Sequence, residues 1–487
     1  MHADVLVAGA GPTGLTLALD LARRGIRVRI VDKADRFSVG SRGDGIQPRT
    51  LEVFEDLGVI DEVVSAGMSA PVTRIYADDR VVWEGRMAEP AAPRSDVPYP
   101  NVWFVPQWRT EQILRSRLAS YGVEVGLCAG VVAFDQDDDG VTARLDGGET
   151  LRTAYLVGAD GGRSTVRGQL AVPFVGETNE DITMLLADLR VDGLDHAYGH
   201  GWMLDEDNFF VFTPLAGADD AYVVATRASG IEPTLEALQH TLDVASGRTD
   251  IRLRELTWRT VWRPNVRMVQ QFRVGRVFLA GDSAHVHPPT GGQGLNTGVQ
   301  DAYNLGWKLG AVLAGASDEL LDSYQAERLP VAARVLGVST ALLDKQLRGA
   351  DDAFERGEET QQLDVSYRRG PLTLDDGSSC TLVAGDRAPD APCLDRRSSS
   401  GRPIRLFNCY AGPHWTLLRF GATAPTLDRA GVRSYRVGGD LIDVDRHILD
   451  GYDVKDGAAV LIRPDGYIGA ITSRPVDLAA YAARVMS

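Results

Sequence analysis

Regularly spaced glycines stand directly after the first apolar run of the chain, which is VLV at positions 5–7. The G-x-G-x-x-G motif consists of Gly9, Gly11 and Gly14, with Pro12 and Thr13 between the last two. After a strand and before a helix, the first glycine permits the tight turn, the second lets a phosphate approach the backbone, and the third allows close packing. The helix N-terminus adds N–H groups that bind an anion. These five residues are therefore candidate ligands of a dinucleotide.

An acidic residue closes the second strand of this segment. Asp32 follows Val31 about 20 residues after the motif, and Lys33 comes next. A carboxylate at this place accepts hydrogen bonds from ribose hydroxyls. Asp32 and Lys33 are therefore further candidate cofactor-binding residues. The βαβ unit alone is compatible with both NAD and FAD.

Two later segments narrow that choice. The first is LVGADGGRSTVR at positions 156–167, which contains Asp160, and the second is VFLAGDSAH at 277–285, which contains Asp282. In this order after the glycine motif, they resemble the three motifs of the class A flavoprotein aromatic hydroxylases. The resemblance implies one non-covalent FAD. It also implies that Asp282 bonds the ribityl chain, and that Asp160 holds the loop that contacts the pyrophosphate and helps NAD(P)H approach.

The run HVHPPTGGQGLN at positions 285–296 is the most specific motif. Its glycines expose backbone N–H groups, and a helix that begins near Asn296 directs its positive end at an anion. A reduced anionic flavin fits this loop, although another anion would also fit. The resemblance places Leu295 and Asn296 at the flavin pyrimidine edge and Pro288 near the flavin face. The loop's candidate residues are Pro288, Pro289, Gly292, Gly294, Leu295 and Asn296, of which Pro288 and Gly292 are the flavin-face candidates.

Two residues outside these motifs complete the predicted cofactor site. Arg42 lies in Ser-Arg-Gly and Gln107 in Pro-Gln-Trp. In the hydroxylase family, an arginine and a glutamine at such positions contact FAD phosphate and ribityl oxygens. The sequence identifies no catalytic acid or base. The resemblance implies that the flavin carries out the difficult step and that the protein positions it.

Two histidines and three aromatic residues are further candidates for a binding site. His285 and His287 have the spacing of a ligand pair, but no cysteine, glutamate or third histidine is near them in sequence, so no metal is predicted. Trp202, Phe210 and Phe212 stand in strand-like segments. Each of them suits a hydrophobic core, and together they could also form the wall of a flat aromatic pocket. We therefore name them as substrate-binding candidates with core packing as the alternative.

Composition restricts the partners. The chain has 487 residues and a formal net charge of −16, which disfavours binding to nucleic acid or an anionic membrane. It has no long apolar run typical of a membrane span and no N-terminal pattern of a signal peptide. We expect a cytoplasmic enzyme, either a monomer or a homodimer, whose partners are a small aromatic molecule and O2.

The predicted fold class is α/β. It combines a Rossmann-like FAD-binding domain of the p-hydroxybenzoate hydroxylase type, an interleaved β-sheet substrate domain and a C-terminal thioredoxin-like domain. The FAD-binding domain is discontinuous, at 1–170 and 276–348, and the β-rich domain spans 171–275. A polar stretch at 349–379 is the predicted linker. Residues 380–487 resemble the thioredoxin-like appendage of phenol and polyketide hydroxylases, but they lack C-x-x-C and hence its redox chemistry.

Local patterns predict particular elements. Short β-rich runs between residues 122 and 157, separated by Asp/Gly turns, favour an antiparallel meander. A helix is expected from Asn296 to Leu313, and a second from Asp318 with a break near Pro330.

The resemblance implies a monooxygenase that uses FAD, NAD(P)H as a transient reductant and O2. In this family a flavin C4a-hydroperoxide hydroxylates an electron-rich phenolic carbon. A multi-ring aromatic polyketide is the expected substrate. A single-ring phenol, a rifamycin-type antibiotic, Baeyer–Villiger oxygenation and a flavin-loaded binding protein without turnover stay open as alternatives.

Overall fold

The computed structural model describes residues 3–41, 43–180, 182–203, 209–227, 232–348, 355–397 and 401–486. The strands before residue 300 are β1 (Val5–Ala8), β2 (Val28–Val31), β3 (Gly45–Ile46), β4 (Met68–Ser69), β5 (Val72–Ala77), β6 (Arg80–Gly85), β7 (Trp103–Phe104), β8 (Val125–Gly126), β9 (Val131–Asp137), β10 (Gly140–Leu145), β11 (Thr150–Thr153), β12 (Tyr155–Gly158), β13 (Val175–Thr178), β14 (Met184–Asp192), β15 (Tyr198–Met203), β16 (Phe209–Pro214), β17 (Ala221–Arg227), β18 (Arg252–Trp262), β19 (Asn265–Met268), β20 (Arg273–Val274), β21 (Val277–Leu279) and β22 (His285–Val286). The later strands are β23 (Leu374–Asp375), β24 (Pro392–Asp395), β25 (Arg402–Arg405), β26 (Trp415–Phe420), β27 (Val432–Val437), β28 (Leu441–Ile442), β29 (Ala459–Ile462) and β30 (Ile468–Thr472).

The α-helices are α1 (Pro12–Arg23), α2 (Pro48–Asp56), α3 (Ile60–Ser65), α4 (Gln107–Ala119), α5 (Thr165–Gln169), α6 (Leu235–Ser246), α7 (Gly294–Leu313), α8 (Asp322–Leu347), α9 (Leu406–Tyr410), α10 (His447–Tyr452) and α11 (Pro475–Val485). Short 3-10 turns occupy Gly281–Ser283, Asp318–Leu321 and Glu358–Thr360. Within the described residues, no helix is both long enough and apolar enough to cross a membrane.

The first sheet has the strand order β20-β21-β12-β1-β2-β8, and β1 pairs in parallel with both β2 and β12. Every residue of β1 and β12 is buried, as expected for central strands covered on both faces. Helix α1 connects β1 to β2, so the predicted βαβ unit is present. The predicted meander is confirmed as the antiparallel sheet β11-β10-β9.

The second large sheet has the order β18-β14-β17-β16-β15-β5-β6. It contains β5 and β6, which the sequence analysis assigned to the FAD-binding domain. Strand β5 pairs in parallel with β15 in the register Ile75↔Gly201. Such a pairing between distant segments leaves no local pattern in the sequence, so the predicted boundary at residues 1–170 missed it. Helix α6 packs against one face of this sheet.

Helix α7 begins two residues before the predicted start, and α8 extends through Pro330. The break predicted at Pro330 is therefore wrong. A proline inside a helix costs about 3 kcal/mol. Here the helix is held on both sides of the proline, because Glu327 and Arg328 make buried ion pairs and Val331 and Val335 are buried. Tertiary contacts thus offset the local penalty.

The C-terminal sheet has the order β23-β30-β29-β26-β27-β28-β24-β25, with β26 parallel to β27 and antiparallel to β29. The thioredoxin-like assignment of this domain stays a prediction. The predicted linker is partly packed, since Tyr367 and Leu372 are buried and β23 pairs with β30. Isolated buried side chains in a polar stretch give no hydrophobic periodicity, so the sequence predicted a linker here. Residues 349–354 lie outside the described residues.

Candidate active site

The three glycines of the first motif lie in two different environments, tightly packed and open. Gly9 has φ +105°, and a Cβ there would lie 2.2 Å from the carbonyl oxygen of Ala159. A Cβ on Gly14 would lie 1.9 Å from the carbonyl oxygen of Gly9. Gly11, in contrast, has an ordinary φ of −75° and no atom within 4 Å of the Cβ position. Packing therefore requires Gly9 and Gly14, whereas Gly11 borders open space.

The carboxylate of Asp32 shapes the same turn. It accepts hydrogen bonds from the backbone N–H of Ala10 at 2.8 Å and of Ala34 at 2.9 Å. Asp32 is half-buried and Lys33 is exposed. Asp32 thus fixes the glycine turn in the protein alone, and its bond to a ribose stays a prediction, as does the role of Lys33.

Thr13 packs the first motif against the third motif and against helix α7. A Cβ on Gly281 would lie 2.5 Å from the Thr13 hydroxyl oxygen, and one on Gly298 would lie 2.3 Å from it. Because only glycines leave this room, the start of α1 packs tightly against both the Gly281 turn and the first turns of α7. Pro12 is the first residue of α1, and the helix has no side-chain cap. The amides at its N-terminus are therefore not capped by a side chain.

The second motif forms a self-contained loop. Asp160 accepts hydrogen bonds from the Ser164 hydroxyl at 2.5 Å and from the Thr165 N–H at 2.7 Å, so it caps α5. Arg167, which the sequence analysis did not single out, donates to the Ser283 carbonyl at 2.9 Å and the Gly162 carbonyl at 2.7 Å. The only indication of Arg167 in the sequence is its position as the last residue of the segment 156–167. Asp160 therefore orders the loop, and Arg167 joins that loop to the third motif.

The third motif presents Asp282 at the surface of a rigid turn. The Gly281 N–H donates to Asp301 at 3.0 Å, and the Ser283 hydroxyl donates to the Gly158 carbonyl at 2.5 Å. These bonds tie the turn to α7 and to β12. Asp282 between them is exposed. A side chain held in this way is accessible to a ligand.

Asn296 organises the glycine-rich loop. Its side-chain oxygen accepts from the Gln47 N–H at 2.9 Å, and its amide donates to the carbonyls of Gly45 at 2.8 Å and Gly292 at 2.6 Å. Its side chain is thus bonded to the protein, so contact with a flavin would use the backbone. Gly291 and Gly292 have φ values of +86° and +62°.

The other loop candidates differ in exposure. Pro288 is buried, Pro289 and Gly292 are exposed, and Gly294 and Leu295 are half-buried. Helix α7, which begins at Gly294, has no side-chain cap. The loop therefore combines exposed backbone with an uncapped helix start, which suits an anionic ligand.

Gln107 begins α4 and donates to Glu111 at 2.8 Å. Its side-chain oxygen lies 4.0 Å from the Cβ position of Gly43, so it borders the loop that carries Arg42. Arg42 itself lies outside the described residues. The FAD contacts predicted for these two residues stay predictions.

The two histidines of the loop have protein partners. His285 Nε2 lies 2.7 Å from an Asp301 carboxylate oxygen, and His287 Nδ1 lies 3.1 Å from the Ser339 hydroxyl. Burial lowers the pKa of His287 to about 4, so this ring is neutral at neutral pH. Among the described residues, no group of three His, Cys, Asp or Glu side chains has a metal-binding arrangement.

Trp202, Phe210 and Phe212 lie in a hydrophobic core, which is the alternative named for them from the sequence, and their substrate role stays a prediction. All three are buried in the core formed by the second sheet and α6, where Leu238 and Leu242 contribute from the helix. Side chains alternate along a strand, so the next residues point to the other face. Core packing explains the size of these three aromatic side chains.

The other face of the sheet carries Leu186, Val211 and Ala225, which lie side by side in neighbouring strands and are half-buried. Asp188, two residues beyond Leu186, is on the same face and accepts the Ser41 N–H at 3.0 Å. Trp258 on the neighbouring strand packs against Gly40. This open face therefore meets Gly40 and Ser41, and Asn296 joins β3 and Gln47 to the glycine-rich loop.

Asp188 is a further candidate site residue, which the sequence did not indicate. It is 3% exposed, and its Oδ1 has no hydrogen-bond partner among the described atoms. Burial raises the pKa of Asp188 to about 7, although the bond from Ser41 opposes the rise. Its only sequence signal was a carboxylate within an apolar strand.

Replacing Asp188 by asparagine is expected to remove a pH dependence of stability. The wild-type carboxyl favours the folded state when protonated, so this contribution is full below about pH 4 and is lost as the pH rises through about 7. Because one pKa unit corresponds to about 1.4 kcal/mol, the variant should gain up to about 4 kcal/mol over wild type above pH 7. Thermal unfolding at pH 4.5 and pH 8 measures the difference. Equal stability differences at both pH values would contradict this assignment.

Comparison with known proteins identifies the family. The family described as "FAD binding domain" matches residues 2–339. A flavin-dependent monooxygenase of Mycobacteroides abscessus is 46% identical, over 99% of this chain and 100% of its own length. A rifampicin monooxygenase of Streptomyces venezuelae is 34% identical, over 96% of this chain and 94% of its own. The crystal structure of aklavinone-11 hydroxylase with FAD and aklavinone matches with a TM-score of 0.86 and 29% identity, over 99% of each chain.

The chain therefore belongs to this family, the class A FAD-dependent aromatic hydroxylases, and it is a flavin-dependent monooxygenase. The fold predicted from the sequence is confirmed at this level, and so is FAD as cofactor. The residues present fit FAD. Two uncapped helix starts, the open space beside Gly11 and the exposed Asp282 lie around motifs that Thr13 packs together.

Proposed function

We propose that this monooxygenase uses NAD(P)H and O2 to hydroxylate a phenolic multi-ring aromatic of the polyketide type. The open face of the second sheet supports this substrate class, because Leu186, Val211 and Ala225 form a flat apolar surface that suits a broad ring system. Relatives support it as well. They include a 6-methylpretetramide 4-monooxygenase of Streptomyces rimosus that is 36% identical over 96% of this chain.

FAD supplies the redox chemistry when it is bound, and the protein binds and orients the reactants. In this proposal the start of α1 beside Gly11 holds the pyrophosphate. Asp282 accepts hydrogen bonds from the ribityl chain, and the backbone of Gly294 to Asn296 meets the pyrimidine edge. Pro288 and Gly292 form the loop near the flavin face. The aromatic ring of the substrate lies between this loop and the open face, where exclusion of water favours oxygen transfer over loss as H2O2.

The proposal predicts that a suitable aromatic stimulates NAD(P)H oxidation and gains one oxygen atom from O2. A tetracyclic phenolic quinone, a simple hydroxybenzoate and a rifamycin are the probes. Consumption of NAD(P)H, release of H2O2 and product mass with labelled O2 are measured for each. Coupled turnover with the hydroxybenzoate alone would overturn the polyketide assignment. Product structure separates hydroxylation from Baeyer–Villiger insertion, and a lack of stimulation by every probe would favour a flavin-loaded binding protein.

A rifamycin substrate is the second candidate, because two rifampicin monooxygenases are 34% and 32% identical to this chain over 96% and 98% of its length. We also propose that the enzyme is cytoplasmic and that it is a monomer or a homodimer.

Replacing Asp282 by alanine is expected to weaken FAD binding by roughly 10- to 100-fold. A lost hydrogen bond from a ribityl hydroxyl costs about 1–3 kcal/mol. Asp282→Asn keeps one acceptor oxygen and should lose less. Asp138→Ala, at an exposed turn of the meander, is the matched control. Fluorescence titration of apoprotein with FAD measures the affinity, and equal affinities for Asp282→Ala and the control would remove Asp282 from the site.

A further inference from the structure

A buried carboxylate stands behind the turn that carries Asp282. Asp301, on α7, has no exposed surface. One of its oxygens accepts the Gly281 N–H at 3.0 Å and lies 2.7 Å from His285 Nε2. The other accepts the Arg328 Nε–H at 2.7 Å. Asp301 therefore fixes the backbone directly before Asp282 and connects it to α8.

Arg328 extends this connection in two directions. Its guanidinium, which has no exposed surface, donates to the Thr297 carbonyl at 3.2 Å and to the Tyr367 hydroxyl at 3.0 Å. Thr297 follows Asn296 in the first turn of α7, so one branch returns to the glycine-rich loop. Tyr367 lies in the predicted linker at 349–379, so the other branch leads out of the predicted FAD-binding domain.

Tyr367 belongs to the contact with the C-terminal domain. Its ring centroid lies 4.3 Å from that of Tyr467, and the Arg463 guanidinium carbon lies 5.2 Å from the Tyr367 ring centroid. Its N–H donates to the Gly385 carbonyl at 2.7 Å. Bonds and ring contacts therefore run without interruption from the C-terminal sheet through Tyr367, Arg328 and Asp301 to the turn before Asp282.

The Asp301–Arg328 ion pair fixes the positions of the side chains in this chain of contacts. Burial alone would raise the pKa of Asp301, but Arg328 and His285, through their charges and hydrogen bonds together, hold the pKa below its ordinary value. The ion pair is thus charged at neutral pH. Charge-assisted hydrogen bonds are shorter and stronger than neutral ones, and each fixes both partners.

We propose that Asp301 and Arg328 are positioning residues for FAD, and that the C-terminal domain contributes to FAD binding through Tyr367. The domain has no C-x-x-C, and its role in this proposal needs no thiol. It supports α8 and the Asp282 turn, so loosening the Tyr367 contact weakens FAD binding at a site that Tyr367 does not touch. This inference depends on FAD as cofactor and is independent of the substrate.

The test compares three single variants as apoproteins titrated with FAD. Asp301→Asn breaks the ion pair and should raise the Kd for FAD about tenfold or more. Tyr367→Phe removes one hydroxyl and should raise it about threefold. Tyr481→Phe is the matched control, because it removes a buried hydroxyl of the C-terminal domain that donates to the Leu372 carbonyl at 3.0 Å and makes no hydrogen bond to Tyr367, Arg328 or Asp301 within the described residues.

A purely structural role would affect thermal stability alone. We therefore also measure the reduction potential and the visible absorbance spectrum of bound FAD, which should shift in Asp301→Asn and Tyr367→Phe and stay constant in Tyr481→Phe. If Asp301→Asn does not fold, the milder Tyr367→Phe decides the question. Unchanged FAD affinity, potential and spectrum in Tyr367→Phe, with a lowered melting temperature like that of the control, would overturn the proposal.

Discussion

Replacing Gly11 by valine is expected to abolish FAD binding without harming the folded apoprotein. The backbone of Gly11 is extended, with φ −75° and ψ −177°, which valine adopts readily. The Cβ position has no atom within 4 Å. Nothing in the protein alone therefore requires glycine here. A side chain at this position would occupy the space in which the pyrophosphate approaches the backbone, so affinity for FAD should fall by at least about 100-fold, or about 2.7 kcal/mol.

Gly14→Val is the informative partner of this variant. Its Cβ would lie 1.9 Å from the carbonyl oxygen of Gly9, so backbone must move and the apoprotein should be destabilised by about 1–3 kcal/mol or more. Thermal unfolding of both apoproteins and titration with FAD separate the two effects. A normal FAD affinity in Gly11→Val would contradict the placement of the pyrophosphate. An equal loss of stability in both variants would contradict the distinction between them.

The cofactor region was largely predictable from the sequence because its constraints are local. Gly9, Gly11 and Gly14 belong to one turn, and the segments around Asp160 and Asp282 are continuous motifs with fixed neighbours. What stayed hidden is the bonding between the motifs. Asp301 lies 20 residues after Gly281 in the sequence, and no spacing rule indicates that its carboxylate accepts the Gly281 N–H.

The substrate side was less predictable for a different reason. In a sheet, the choice of face depends on what packs against it, and the helix that covers Phe210 and Phe212 comes later in the chain. Large aromatic residues suit both a core and a pocket, so residue type did not decide between them. The pairing of β5 with β15 likewise depends on distant segments. Asp188 became recognisable only when its face, its burial and the Ser41 bond were known.

The C-terminal domain is joined to the FAD-binding region by a buried cluster of charges. Glu327 on α8 accepts hydrogen bonds from Arg463 at 2.6 Å and 2.9 Å, from Lys308 at 2.7 Å and from Asn304 at 2.8 Å. Asp465 accepts the Arg463 Nε–H at 2.9 Å. The four charged side chains are at most 1% exposed. The two negative and two positive charges of this buried cluster therefore balance.

Replacing Glu327 by glutamine should lower the free energy of unfolding by about 3–5 kcal/mol, because it leaves one buried positive charge uncompensated. Burial alone would raise the pKa of Glu327, but Arg463 and Lys308 hold it at about 2, so Glu327 stays ionised in the wild type above about pH 4.5. Without this acid, burial lowers the pKa of Lys308 further below its present value of about 8. The loss of stability should therefore be largest near pH 6 and smaller at pH 9, where Lys308 is neutral.

The charge-balanced double variant Glu327→Gln/Lys308→Met provides the control for this effect. Removing both members of a buried ion pair is often neutral or stabilising, so the double variant should recover most of the stability that Glu327→Gln loses. Calorimetric unfolding of wild type, both single variants and the double variant at pH 6 gives the coupling energy between the two residues. If the double variant is as unstable as Glu327→Gln, the loss comes from altered packing at α8, and charge imbalance is not its cause.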